Sequence, residues 1–189
     1  MTDAATTPTY VLVDGENIDA TLGMSVLGHR PGSDERPRWE RLRDFVAERW
    51  QQPVTGLFFL NASSGFLPSS FVQALISMRY RPIPLSGAAG LKVVDIGIQR
   101  TLEAIASRPG DVVLASHDGD FVDQMTALCG TDRKVAVVGF REFLNLRFSE
   151  LTSQGLQIFD LEDDVRAFTS VLPRVRIIEL DDFDPGRFL

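Results

Sequence analysis

The sequence predicts an α/β protein, a three-layer α/β/α sandwich around a mainly parallel central sheet of about five to six strands. Two observations predict it. Short apolar, β-prone runs alternate with longer stretches in which apolar residues recur every three to four positions. Several of those runs stop abruptly at Asp, Asn, Ser or Gly, residues that end strands and open turns. Strands alternating with helices at this spacing imply βαβ units, whose right-handed crossovers place helices on both faces.

The first strand is 10–13, apolar until Asp14-Gly15. Residues 18–23 make a helical turn, and Gly28, Pro31, Gly32 and Pro37 mark 28–37 as a loop. Trp39, Leu42, Val46 and Trp50 form the stripe of an amphipathic helix that Pro53 closes. Residues 54–60 are a second strand ending at Asn61, and Pro68 opens a helix carrying Val72, Leu75, Ile76 and Arg79 on one side and its border. The third strand, 81–85, contains Pro82 and Pro84; neither can donate to a ladder, so it belongs at a sheet edge. After Gly87 to Gly90, a helix over 91–107 aligns Val94, Ile98, Leu102 and Ile105. Strand 111–116, helix 121–128, strand 134–139, helix 142–151 and strand 156–159 follow. Beyond Asp160 the pattern weakens: 161–171 reads as helical, 175–180 as a strand, and the end is acidic. The expected organisation is one domain over 1–160 with a C-terminal extension over 161–189.

Composition narrows the function. With 44% apolar and 24% charged residues this is an ordinary globular chain, and no run reaches the roughly 18 apolar residues of a membrane helix. No secretory signal is evident, so a cytoplasmic location without membrane contact is expected. Cys129, the single cysteine, cannot make an internal disulfide and reads as a small packed hydrophobe. A net charge of −7 argues against broad attraction to nucleic acid, because phosphate contacts need Lys and Arg. It leaves room for a local basic patch beside an acidic site.

The acids hold the chemical interest. Asp14 ends the first strand, Asp118 and Asp120 follow the fourth, and Asp95 lies in the first turn of the helix after Gly90. If the first and fourth strands are neighbours at a switch point, these acids meet at one sheet edge. Crowded carboxylates repel unless a cation or protons neutralise them, and hard oxygen ligands suit Mg²⁺ or Mn²⁺. Each acid also has a plainer reading: Asp118 or Asp120 as a helix N-cap, Asp14 as a turn residue, Asp95 as a first-turn acid favoured by the helix dipole. Arg30, Arg36, Arg38, Arg41 and Arg43 surround Trp39. The arginines suit phosphate and an exposed Trp39 would stack on a base, although its place on the apolar stripe points to burial. Asn61, Ser63 and Ser64 also follow a strand and either touch phosphate or form a turn.

Three segments, Val13-Asp14-Gly15-Glu16-Asn17, Lys92-Val93-Val94-Asp95 and Ser116-His117-Asp118-Gly119-Asp120-Phe121, resemble in order the NYN domain family, a branch of the PIN-like ribonucleases. The similarity spans roughly residues 9 to 140, and its specificity lies in all three short motifs falling on strand ends and a helix start. The resemblance implies a Mg²⁺- or Mn²⁺-dependent endoribonuclease. Asp14, Asp95, Asp118 and Asp120 would be its catalytic metal ligands. Asn17 would orient a ligand or phosphate, Lys92 would contact the backbone, and Ser116 matches the small hydroxyl residue closing the fourth strand. Asn61, Arg38 and Arg41 complete the expected substrate contacts. RNA, single-stranded or structured, is the implied partner, and a homodimer is allowed. Two other readings stand beside this one. The first is a non-catalytic RNA-binding or regulatory module with the same fold. The second is a phosphatase with Asp118 as nucleophile, which needs a later lysine; only Lys134 follows.

Overall fold

The computed structural model describes residues 7–175, 178 and 180–189. Six parallel strands form one sheet: β1 (Thr9–Asp14), β2 (Val54–Asn61), β3 (Tyr80–Leu85), β4 (Asp111–Ala115), β5 (Val135–Gly139) and β6 (Leu156–Asp160). Their order is β3-β2-β1-β4-β5-β6, so the chain builds outward from β1 in one direction, returns, and builds outward in the other. β1 pairs with both β2 and β4, Asp14 lying opposite Phe59 and Val13 opposite Ala115. The switch point is therefore between β1 and β4. β3 occupies an edge, where Pro82 and Pro84 cost fewest ladder bonds.

The strands are buried on both faces, which is why they read as near-continuous apolar runs. Val11, Val13, Val113, Ala115, Ala136 and Val138 point into one core with Ile18, Leu22, Leu42, Val46 and Leu75. Leu12, Val112, Leu114, Val135 and Val137 point into the other with Ile98, Leu102, Met125 and Phe148. Consequently α1 (Gly15–Thr21), α2 (Trp39–Trp50) and α3 (Ser69–Ser77) cover the first face. The second is covered by α4 (Val93–Ala106), α5 (Val122–Leu128) and α6 (Leu146–Glu150). This is the three-layer α/β/α sandwich, with every sheet pairing parallel.

Local differences from the sequence reading have physical causes. The helical turn over 18–23 is longer: α1 continues as π-helix over Leu22–Leu27 until Gly28 at φ 75° stops it. Arg79 lies beyond α3, at φ 63°. The single helix expected over 142–151 is broken: a 3₁₀ turn at Arg141–Phe143 ends in extended Leu144, and the Asn145 side chain starts α6 afresh by accepting from the Arg147 N–H.

The helix expected over 161–171 does not form. Asp160 instead gathers the chain into a turn, its carboxylate accepting from the Arg141, Glu162 and Asp163 N–H groups. Arg166, at φ 53°, ends that turn. Leu161, Val165, Ala167 and Leu172 nevertheless enter the first core. Arg174 pairs with Glu142 and Glu162 and lies over the Phe140 ring. Of the strand expected over 175–180, residues 176, 177 and 179 lie outside the described residues.

Candidate active site

At the carboxyl edge of β1, Gly15 lets the backbone turn directly over Phe58; a Cβ there would lie 2.5 Å from the Phe58 ring. The turn delivers Asp14 into an almost solvent-free position, 3% exposed. Its Oδ2 accepts from the Ser116 hydroxyl at 3.0 Å and its Oδ1 from the Asn17 N–H at 3.3 Å, capping α1. Desolvation outweighs these hydrogen bonds and, with Asp95 and Asp118 nearby, raises the Asp14 carboxyl from 3.8 to about 6.

Across the switch point, the chain leaving β4 forms a loop held from several sides. The Asp118 N–H donates to Ser116 Oγ and the Asp120 N–H to Asp118 Oδ1. Gln99 donates to the Asp120 carbonyl, and the Asn145 N–H to that of His117. Asp95, in the first turn of α4, faces this loop. One carboxylate oxygen from each of Asp95, Asp118 and Asp120 lies within 4.8 Å of the others. Asp14 is not in that trio; it acts on it from behind, through charge. The plain and chemical readings of Asp118 hold together, because a carboxylate has two oxygens and the cap uses one.

Lys92 shows what the trio lacks. Its ammonium sits 2.9 Å from Asp120 and 3.3 Å from Asp95, and those carboxylates push its pKa upward. The side chain is 66% exposed, and the contacts that hold its ammonium are those two carboxylates. A hard-oxygen donor set already drawing one cation fits Mg²⁺ or Mn²⁺, and such an ion commonly keeps several waters and takes few direct carboxylates.

His117 is the residue that sequence reasoning missed. Asn17 Oδ1 accepts from both its backbone N–H (2.8 Å) and its Nδ1 (2.9 Å), while its Nε2 accepts from the Phe140 N–H at 2.8 Å. The Phe140 amide can only donate, so the ring is neutral with its proton on Nδ1, and Asn17 must present oxygen. Burial lowers the pKa of His117 to about 4, and its ring stacks on Phe140 at 5.6 Å. Thus Asn17, from α1, fixes the loop after β4. Only pairing of these two distant motifs in space could have exposed that role.

The other expected contacts fare unequally. Trp39 is buried edge-on against Phe58 and offers no stacking surface. Arg41 donates to the carbonyls of Arg166 and Phe168, Arg36 pairs with Asp19, and Arg43 with Asp44. These three serve structure, whereas Arg30 and Arg38 stay exposed. Asn61 caps its own turn by accepting from the Ser63 N–H, at an exposed strand end. Lys134, which the phosphatase reading needs, precedes β5 at the opposite sheet edge and donates to the Trp50 carbonyl. That geometry removes it from Asp118.

Among known proteins, the model of the NYN domain matches residues 8–159. No curated protein matches. A crystal structure of a protein of unknown function from Vibrio parahaemolyticus superposes with a TM-score of 0.64 at 18% identity, covering 87% of this chain and 98% of that one. At that identity the likeness speaks for the fold.

Proposed function

The chain belongs to the NYN domain family, and from that premise we propose that it is a divalent-metal-dependent endoribonuclease that hydrolyses RNA phosphodiester bonds. The observation that carries this reading is the convergence of Asp95, Asp118 and Asp120 at the β1/β4 switch point, backed by buried Asp14. Asp95, Asp118 and Asp120 would hold Mg²⁺ or Mn²⁺. A bound ion supplies an activated water and charge stabilisation at phosphorus. Asp14 and Ser116 keep the floor of the site polar and dry, and Asn17 and His117 hold the Asp118 loop in register. The Asn17 Nδ2 donates to no other described residue and is available to a phosphate oxygen. Lys92 is free to leave the carboxylates for the RNA backbone as metal enters.

Incubation of the protein with structured and single-stranded RNA, with Mn²⁺ or EDTA, tests the proposal. Cleavage is expected with metal alone and is expected to fall at least about a hundredfold in Asp118→Asn, with the melting midpoint retained. Undiminished metal-dependent cutting by purified Asp118→Asn sinks the assignment.

The Lys92 contacts also favour a second reading, a non-catalytic RNA-binding module in which the ammonium neutralises the acids permanently. Calorimetry separates the two. The nuclease binds Mn²⁺ at a site that Asp118→Asn destroys, and the module does not.

A further inference from the structure

A cleft that none of the four site aspartates lines stands outside the nuclease chemistry proposed above. It opens between α1 with its π-helical continuation and the 28–36 loop, has a volume of about 630 Å³ open to solvent, and reaches Glu16, two residues after Asp14. Its wall is specified by Gly23, where a Cβ would lie 2.9 Å from the His29 carbonyl and 3.0 Å from the Pro31 ring. π-Helical segments are rare and recur at functional sites. This one leaves Met24 79% exposed in the cleft, alongside Ala20 and Pro31.

The charges in the cleft are selective. Asp19 and Arg36 neutralise each other at 2.6 Å, and His29 faces Glu35 at 3.0 Å. The side chains of Glu16 and Arg30 make no hydrogen bond or ion pair with another described residue. The cleft thus combines an apolar wall with one free acceptor and one free cation. Those are the complements of a nucleotide: a flat base with N–H donors, and a phosphate. The volume suits it, since small-ligand sites run from about 300 to 1,000 Å³.

We propose that this cleft seats the nucleotide neighbouring the cut phosphodiester. The base lies against Met24 and Pro31, Glu16 accepts from its N–H edge, and Arg30 pairs with its phosphate. Guanine, with two adjacent N–H donors for one carboxylate, is the preferred base. The place of this seat in catalysis rests on the nuclease reading, whereas nucleotide binding itself does not.

The test titrates guanosine 5′-monophosphate into the full chain in EDTA, followed by amide NMR. Shifts are expected at Gly23, Met24, Gly28 and Arg30, saturating in the low-millimolar range. Ala20→Phe, which fills the cleft from an exposed helix position, and Arg30→Glu should each weaken binding about tenfold or more. Absence of shifts in the cleft at about 20 mM nucleotide, or binding undiminished in both variants, overturns the proposal. In RNA cleavage, Ala20→Phe and Arg30→Glu should raise KM about tenfold with kcat within about threefold. An unchanged KM in both active variants also overturns the seat, while the nuclease reading survives. A protein that cuts no RNA under any condition removes the nuclease reading, and the nucleotide titration then decides the cleft alone.

Discussion

Asp14 and His117 are buried polar residues, each hydrogen-bonded to Asn17, whose titrations pull in opposite directions. Asp14 is raised from 3.8 to about 6, so the folded state holds its proton more tightly. The stability this supplies is full below about pH 4 and is lost as pH climbs through 6. His117 is lowered from 6.5 to about 4, so its contribution is full above 6.5 and is lost as pH falls towards 4. At 1.36 kcal/mol per pK unit each is worth roughly 3 kcal/mol, and between pH 4 and 6 they oppose. Urea titrations from pH 4 to 6.5 should therefore show stability rising with pH in Asp14→Asn and falling with pH in His117→Gln. Parallel profiles in wild type and both variants contradict the assignment. Asn17→Ala leaves two His117 donors without their acceptor and should cost about 1–3 kcal/mol in the same assay.

Elements aim these residues. α4 begins at Val93 with Lys92 as its N-cap residue, which sets Asp95 in the first turn and the Lys92 ammonium across from Asp120. Since Lys92 and a metal ion compete for the same carboxylates, Lys92→Met should tighten Mn²⁺ binding severalfold by calorimetry, and weaker binding would contradict that competition. On its buried face, α4 inserts Ile98 and Leu102 fully into the second core. Ile98→Ala should cost about 2–5 kcal/mol of unfolding free energy. The α4 stripe is visible as a 3.6-residue period in the sequence. The broken stretch 141–154 is not, because its break depends on an Asn145 side-chain cap and on packing of Phe140 and Phe143 with Arg174 from the far end of the chain.

At the level of the whole molecule, residues 161–172 complete the first core although they carry no regular element. Removing 161–189 should lower the melting midpoint sharply, whereas removing 176–189 should change it little; equal effects would show that the buried residues at 161–172 contribute nothing. The strand–helix alternation, the edge placement of the proline strand and the acids that end β1 and follow β4 are legible in the amino-acid order, because burial and backbone chemistry act locally and leave periodic marks. Its three short motifs also sufficed to indicate the family. Folding in three dimensions settles that Asp14 stands apart from a trio of Asp95, Asp118 and Asp120, that His117 is locked by Asn17, and that most of the arginine cluster is spent on structure. Those outcomes depend on which residues meet across about a hundred positions of chain, and pairing at that separation is set by strand order and packing rather than by any local pattern.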